Sequence, residues 1–255
     1  MGGRAGAAML KSAGPAGRVI GPVYNPRDLL EHTGGPTVTT HSEAHAAGGE
    51  SMVLIVDDDA GLRNALGNLF RSVGIRVALF DSAAELLEFE LPDMPCCLVL
   101  DVRLRGPSGL ELQSRLLQMG VPIPIIFMTG HGDIPMTVAA MKAGAVDFMS
   151  KPFRDQDLLD AVTAALDKDR ARRQGMRQVE AIRRHYATLT PREAEVMGLA
   201  VTGLLNKQIA AEIGISEVTV KIHRGQAMRK MKARTFADLV LMAQQLGIRQ
   251  GLPAG

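Results

Sequence analysis

Tryptophan is absent from the 255 residues and tyrosine occurs only twice, which leaves no aromatic platform for stacking single-stranded bases. The two cysteines, Cys96 and Cys97, are adjacent. Neighbouring residues of a strand face opposite ways, so a disulfide framework or a zinc site is not expected. Buried thiols of a cytoplasmic protein are the expectation. No apolar run approaches the ~20 residues of a membrane span, so no membrane partner is expected. The amino-terminal stretch carries Arg4 and Lys11 but no continuous apolar core, and no secretory signal is expected.

What is present is charge sorted along the chain. The net of +2 conceals 15 acids and 9 bases in residues 51–166, against 8 acids and 16 bases in residues 167–255, with four of each in residues 1–50. An acidic half beside a basic half implies two domains with different partners, the basic one a candidate for nucleic acid. Residues 1–50 are rich in Gly, Ala, Pro and Thr without a sustained period, and read as disordered; translation beginning at Met52 is an equally serious reading.

From Met52 to residue 166, strand and helix patterns alternate. Strands are expected at 53–56, 75–80, 96–101, 123–128 and 146–149. Helices are expected at 61–73, 82–91, 110–119, 135–143 and 155–166. Five such pairs imply an α/β doubly wound parallel sheet. Residues 167–187 hold six arginines between Arg170 and Arg184 and read as a solvated helical linker. Beyond lies an all-α region, residues 188–250. Its short helix at 206–213, stop at Gly214 and second helix capped by Ser216 make a helix-turn-helix.

Chemistry gathers at the strand ends. The first strand runs into Asp57-Asp58-Asp59, the third ends at Asp101, the fourth meets Thr129, and the fifth leads to Lys151-Pro152. Open parallel sheets hold their ligands at such ends. Transfer of a phosphoryl group to a carboxylate needs an oxygen nucleophile, a divalent cation and positive groups for the remaining charge. Asp101 can be the nucleophile, and Asp57 and Asp58 can hold Mg²⁺, a hard oxygen-seeking ion. Thr129 can donate to one phosphoryl oxygen and Lys151 can pair with another. Each residue alone suits an ordinary cap or turn; the conjunction outweighs that.

Four strings carry a resemblance: Val-Leu-Ile-Val-Asp-Asp-Asp (53–59), Leu-Asp-Val-Arg (100–103) with Gly109 eight residues past Asp101, Thr-Gly-His-Gly-Asp-Ile-Pro-Met (129–136), and Met-Lys-Ala-Gly-Ala-Val-Asp-Phe-Met-Ser-Lys-Pro-Phe (141–153). They resemble the receiver domain of two-component response regulators, specifically the FixJ branch, with a flavodoxin-like fold. The resemblance implies that Asp101 accepts phosphate from a cognate sensor histidine kinase. It implies Mg²⁺ on the Asp58 and Asp101 side chains and the Arg103 carbonyl, with Asp57 helping through water. Thr129 and Phe148 are implied as a switch pair, and Lys151 as the phosphate-sensing cation before a cis peptide at Pro152. One departure stands out: the family usually has proline four residues after the acceptor, where this chain has Arg105, so loop rigidity and phosphate lifetime are expected to differ. His131, a lone histidine near the acids, is expected to pack the loop rather than relay phosphate.

The strings Leu-Thr-Pro-Arg-Glu-Ala-Glu-Val (189–196), Asn-Lys-Gln-Ile-Ala (206–210) and Ile-Ser-Glu-Val-Thr-Val-Lys-Ile-His-Arg (215–224) resemble the LuxR-type helix-turn-helix. Helical spacing puts Val220, Ala227 and Met231 in the core and turns Lys221, Ile222, Gly225 and Arg229 outward. A recognition helix needs cations for phosphates and guanine edges and an apolar group for thymine methyls. Ser216 and Thr219 can reach backbone phosphate at its start. Arg224 leans toward the core. The motif residues Asn206, Lys207 and His223 complete the DNA-binding set. Double-stranded promoter DNA, RNA polymerase and a phosphorylation-induced homodimer are the implied partners.

Two rival classes fit less well. Haloacid-dehalogenase-like phosphohydrolases place Asp-x-Asp-x-Thr/Val after the first strand, but Asp57-Asp58-Asp59-Ala60-Gly61 fails at its fifth position, so no enzyme is expected. A relay that never touches DNA is disfavoured by the helix-turn-helix.

Overall fold

The computed structural model describes residues 51–130 and 134–248; the expectations for residues 1–50 and for His131 fall outside them. Strands β1 (Met52–Val56), β2 (Arg76–Phe80), β3 (Cys96–Asp101), β4 (Ile125–Thr129) and β5 (Asp147–Ser150) form one parallel sheet in the order β2-β1-β3-β4-β5. Helices α1 (Ala60–Ser72), α2 (Ala83–Glu88), α3 (Gly109–Gln118) and α4 (Ile134–Lys142) connect them, and α5 (Asp155–Tyr186) follows β5. The doubly wound sheet expected from the alternating pattern is present. Its order reverses between β1 and β3, so the crevice at their carboxyl ends is where a ligand site belongs.

Both sheet faces are covered, which is why the strands read as unbroken apolar runs. In β1, Leu54 and Val56 join Phe80, Leu98, Leu100, Phe127 and Ala140 on one face. Val53 and Ile55 join Phe70, Val99, Ile126, Leu158 and Val162 on the other. Cys96 and Cys97 divide between these cores as their adjacency requires. Burial pushes the Cys96 thiol up to about 11 and the Cys97 thiol higher still, so neither is a reactive thiolate near neutrality.

Helix ends follow their side chains. Asp59 caps α1 by accepting from the Gly61 and Leu62 amides, so the third acid of the triple serves the backbone. Ser108 and Glu111 form a capping box on α3. The expected second helix is shorter than 82–91: Phe89 is already extended, at φ −79° and ψ 128°. Its ring packs edge-on against Phe80 with centroids 5.1 Å apart, and Pro92 disfavours helix in the residue before it. The fourth strand starts at Ile125 rather than 123, because Pro124 has no amide to donate and serves instead as an acceptor for Leu98.

The stretch expected to be a solvated linker is helical, but its first turns are anchored. α5 runs unbroken for 32 residues, and Asp169, 1% exposed, accepts from the Cys96 amide (3.0 Å) and from Arg172 and Arg173. Arg173 and Arg177 also reach Asp93, each at 3.1 Å. Burial pushes the Asp169 carboxyl up, but hydrogen bonds from Arg173, the Cys96 amide and Arg172 outweigh it and hold it below the ordinary carboxylate value. Asp169→Ala removes the shared acceptor, leaves the buried Cys96 amide unmatched, strips Arg172 of its carboxylate and leaves Arg173 to Asp93. The expected cost is on the order of 3 kcal/mol. It should appear as a lower urea midpoint at unchanged slope; an unmoved midpoint would show that the network adds nothing to stability. Because the folded carboxyl titrates lower than the unfolded one, its contribution is full above the unfolded value. It is lost as pH falls, below about 4.

The last helices are α6 (Pro191–Val201), α7 (Asn206–Ile213), α8 (Glu217–Lys230) and α9 (Phe236–Gln245). Ile182 near the end of α5 packs with Met197, Ala227, Met231 and Leu239. Thr190 and Glu193 form a capping box on α6, and Glu193 additionally receives Lys230 from α8. Gly214 closes α7 at φ 69°, the left-handed conformation that suits glycine in the turn. Among the described residues no helix is long and apolar enough to cross a membrane.

Candidate functional site

The carboxyl ends of β1 and β3 bring Asp57, Asp58 and Asp101 together, each offering an oxygen within 4.8 Å of the others. Parallel pairing places the two strands side by side, with Val56 opposite Leu100, so the residues that follow converge on one crevice. Asp57 is fully buried and Asp101 is 8% exposed. Three carboxylates this close repel one another unless cations intervene. Lys151, just past β5, donates Nζ to Asp57 Oδ2 at 2.8 Å and to Asp101 Oδ2 at 3.0 Å. Burial pushes its ammonium down, but the bonds to Asp57 and Asp101 outweigh that and hold it above the ordinary lysine value. The peptide Lys151-Pro152 is cis, as the resemblance implied.

The three acids are not equivalent. Asp57 has both oxygens engaged, Oδ1 by the Asp59 amide at 2.9 Å and Oδ2 by Lys151. Its carbonyl also accepts from Arg63 at 2.6 Å. Asp101 Oδ1 accepts a long bond from the Arg103 amide, 3.2 Å. Asp58 Oδ2 accepts from Arg105 Nε at 3.0 Å. Such a set of hard oxygen donors fits a divalent cation of the Mg²⁺ class, which takes few protein carboxylates.

Thr129 ends β4 fully buried, and its carbonyl accepts from the Lys151 amide at 2.7 Å, tying the two residues across the sheet. Phe148 is half-buried in β5, its ring 6.1 Å from that of Phe127. Gly109 is fixed by closeness: a Cβ there would lie 2.4 Å from the Asp101 carbonyl oxygen. The loop after Asp101 can therefore fold back against the strand only with glycine at that position. On α4, Ile134, Val138 and Met141 are exposed at 81%, 43% and 44%, an apolar strip with Ala140 alone buried beneath.

In the helix-turn-helix, Val220, Ala227 and Met231 are buried, and Lys221, Ile222, Gly225 and Arg229 are exposed, as helical spacing indicated. Lys207 is exposed at the start of α7. Ser216 accepts from the Thr219 amide, and their hydroxyls lie 2.7 Å apart, so both sit at the amino end of α8. Arg224 is half-buried: it bonds Asn206 Oδ1 at 3.1 Å and lies 4.3 Å over the Phe236 ring. These contacts join α7 and α9 to α8. His223 is half-buried too, with Nδ1 lacking a partner among the described residues.

Two features had no sequence signal. The Arg105–Asp58 pair joins residues 47 apart, and Arg173 reaches Asp93 across 80. No local period announces either.

Residues 53–163 match the response regulator receiver domain, and residues 187–243 match the bacterial regulatory proteins of the luxR family. The chain is 57% identical over 208 residues to Nodulation protein W of Bradyrhizobium diazoefficiens, covering 82% of this chain and 90% of that protein. It is 40% identical over 197 residues to the transcriptional regulatory protein FixJ of the same organism, covering 77% of this chain and 96% of that one. Among solved structures, the response regulator StyR is similar at a TM-score of 0.69 and 47% identity, over 77% of this chain and 99% of that chain.

Proposed function

The chain belongs to the FixJ-type response regulators, in which a receiver governs a LuxR-type DNA-binding domain, and from that premise we propose that Asp101 is its phosphoryl acceptor. A phosphorylation-controlled transcriptional regulator needs one carboxylate able to attack phosphorus and a second state to release. The observation that carries the assignment is the Lys151 ammonium bridging Asp57 and Asp101 at neighbouring strand ends.

Asp101 attacks the phosphorus of a phosphohistidine on a sensor kinase. A P–O bond forms to the carboxylate as the P–N bond breaks, and the electron pair leaves on the imidazole. Asp58, Asp101 and the Arg103 carbonyl, with Asp57 helping through water, would hold Mg²⁺, which would supply charge neutralisation on the phosphoryl oxygens. Lys151 turns from the carboxylate to a phosphoryl oxygen, and the Thr129 hydroxyl donates to another. The buried walls of β1, β3 and β4 keep these groups in a low-dielectric crevice, where such contacts are strong.

The output is read at promoter DNA, with a cytoplasmic protein and RNA polymerase as the machinery served. Lys207, Lys221, Ile222 and Arg229 face outward to contact it, with Ser216 and Thr219 at the positive end of α8 for a phosphate. Asn206, His223 and Arg224, the half-buried members of the same motif, complete the DNA-binding set. The full-length protein should bind duplex with a log–log salt slope of about −0.9 per phosphate contacted. Lys221→Ala should cost on the order of 1–3 kcal/mol of that affinity. Anisotropy titrations across salt give both numbers. Affinity unaltered by Lys221→Ala would remove α8 as the reading helix.

A further inference from the structure

Asp58 has a partner that the acceptor chemistry does not require. Arg105 donates Nε to Asp58 Oδ2 at 3.0 Å from a side chain that is 85% exposed, while Asp58 is 26% exposed. Lys151 already answers Asp57 and Asp101. Every carboxylate of the cluster therefore has a cationic partner, but the partners differ in kind. Lys151 is 22% exposed and bonded twice within the crevice, whereas Arg105 reaches in from the rim. Asp58 is its one partner among the described residues.

We propose that Arg105 is a built-in competitor for the divalent cation at Asp58, a guanidinium that must be displaced before this carboxylate can ligate metal. This rests on reading the acidic cluster as a Mg²⁺ site. A cation bound to Asp58 Oδ2 and a guanidinium donating to the same oxygen exclude one another, and their positive charges repel. Exposure sets the size of the effect. A pair open to solvent is weak, so Arg105 attenuates metal affinity rather than blocking it, and added salt screens the competition. Proline, usual at this position in the family, has no side chain capable of either action.

Calorimetric titration of Mg²⁺ alone into the full-length protein tests this. Arg105→Gln should bind Mg²⁺ about two- to fivefold more tightly than wild type at low salt, the size an exposed ion pair can supply. The difference should shrink as sodium chloride is raised. In ¹⁵N-labelled wild type, the Arg105 Nε–H resonance should shift with the same Mg²⁺ midpoint as the heat. A long-range charge effect without direct pairing would leave that resonance still. Equal affinities at low salt, or an Nε–H signal indifferent to Mg²⁺, would overturn the competition while leaving the metal site in place. Failure of both proteins to bind Mg²⁺ would overturn the inference together with the reading beneath it.

Discussion

Incubated with Mg²⁺ and a small acyl phosphate donor, the wild-type protein should take up a single phosphate, and the Asp101→Ala protein none. The loss is expected to be complete because neither neighbouring acid can stand in. Asp57 is fully buried with both oxygens already accepting hydrogen bonds, so its lone pairs are not presented to a donor. Asp58 is the acid that faces Arg105, and it is proposed to ligate the metal. Asp101 combines position at the end of β3 with an oxygen that, among the described residues, accepts a single long amide contact of 3.2 Å. The substitution should not unfold the chain. It removes one of three carboxylates lying within 4.8 Å of each other and leaves Lys151 paired with Asp57, so like-charge repulsion falls. Thermal denaturation should therefore show a midpoint equal to or above wild type. Chelating Mg²⁺ should abolish labelling of the wild type as well. Undiminished labelling of Asp101→Ala would falsify the assignment of the acceptor.

The second large effect is on assembly. Phosphorylation replaces the single carboxylate charge of Asp101 with a phosphoryl group carrying roughly two. Thr129 and Lys151 are already linked across β4 and β5 by a 2.7 Å backbone bond, so drawing both inward moves the ends of two strands together. Space opened behind Thr129 should let Phe148 turn in beside Phe127, changing the face made by α4 and β5. That face carries the exposed Ile134, Val138 and Met141, an apolar strip suited to burial against a second copy. A single helix-turn-helix offers few base contacts, and such domains read paired half-sites about 34–36 Å apart as dimers. The phosphorylated full-length protein is therefore expected to be dimeric and to bind duplex tightly, a shift between two pre-existing states. Thr129→Ala should blunt both effects while leaving Asp101 able to accept phosphate, since the hydroxyl and not the acceptor is lost. Full dimerisation of phosphorylated Thr129→Ala would remove Thr129 from the switch.

The parts legible in the sequence were those written locally. Apolar runs gave the strands of the sheet, and the residue just after each run gave Asp57, Asp101 and Lys151, because a parallel sheet aligns its carboxyl ends. Ser216 announced the start of α8 through its own side chain. Outward and inward positions on α8 followed from the helical period. What escaped were pairings between distant residues of opposite charge. Asp169 looked like one more charge in a basic stretch, yet it is buried under β3 and gathers three donors, since only the fold brings Cys96 to it. Arg105 was legible as a departure from the family but not as the partner of Asp58. Arg224 leaned toward the core as its spacing implied; its bond to Asn206 and its place over Phe236 needed three helices to be assembled first.

Sedimentation velocity of the full-length protein, before and after stoichiometric phosphorylation and with and without a promoter duplex, decides whether phosphate on Asp101 controls assembly and DNA binding. The expected result is a monomer that becomes a dimer on phosphorylation and then co-sediments with the duplex. A protein that stays monomeric after stoichiometric phosphorylation, yet binds the duplex tightly, would contradict it.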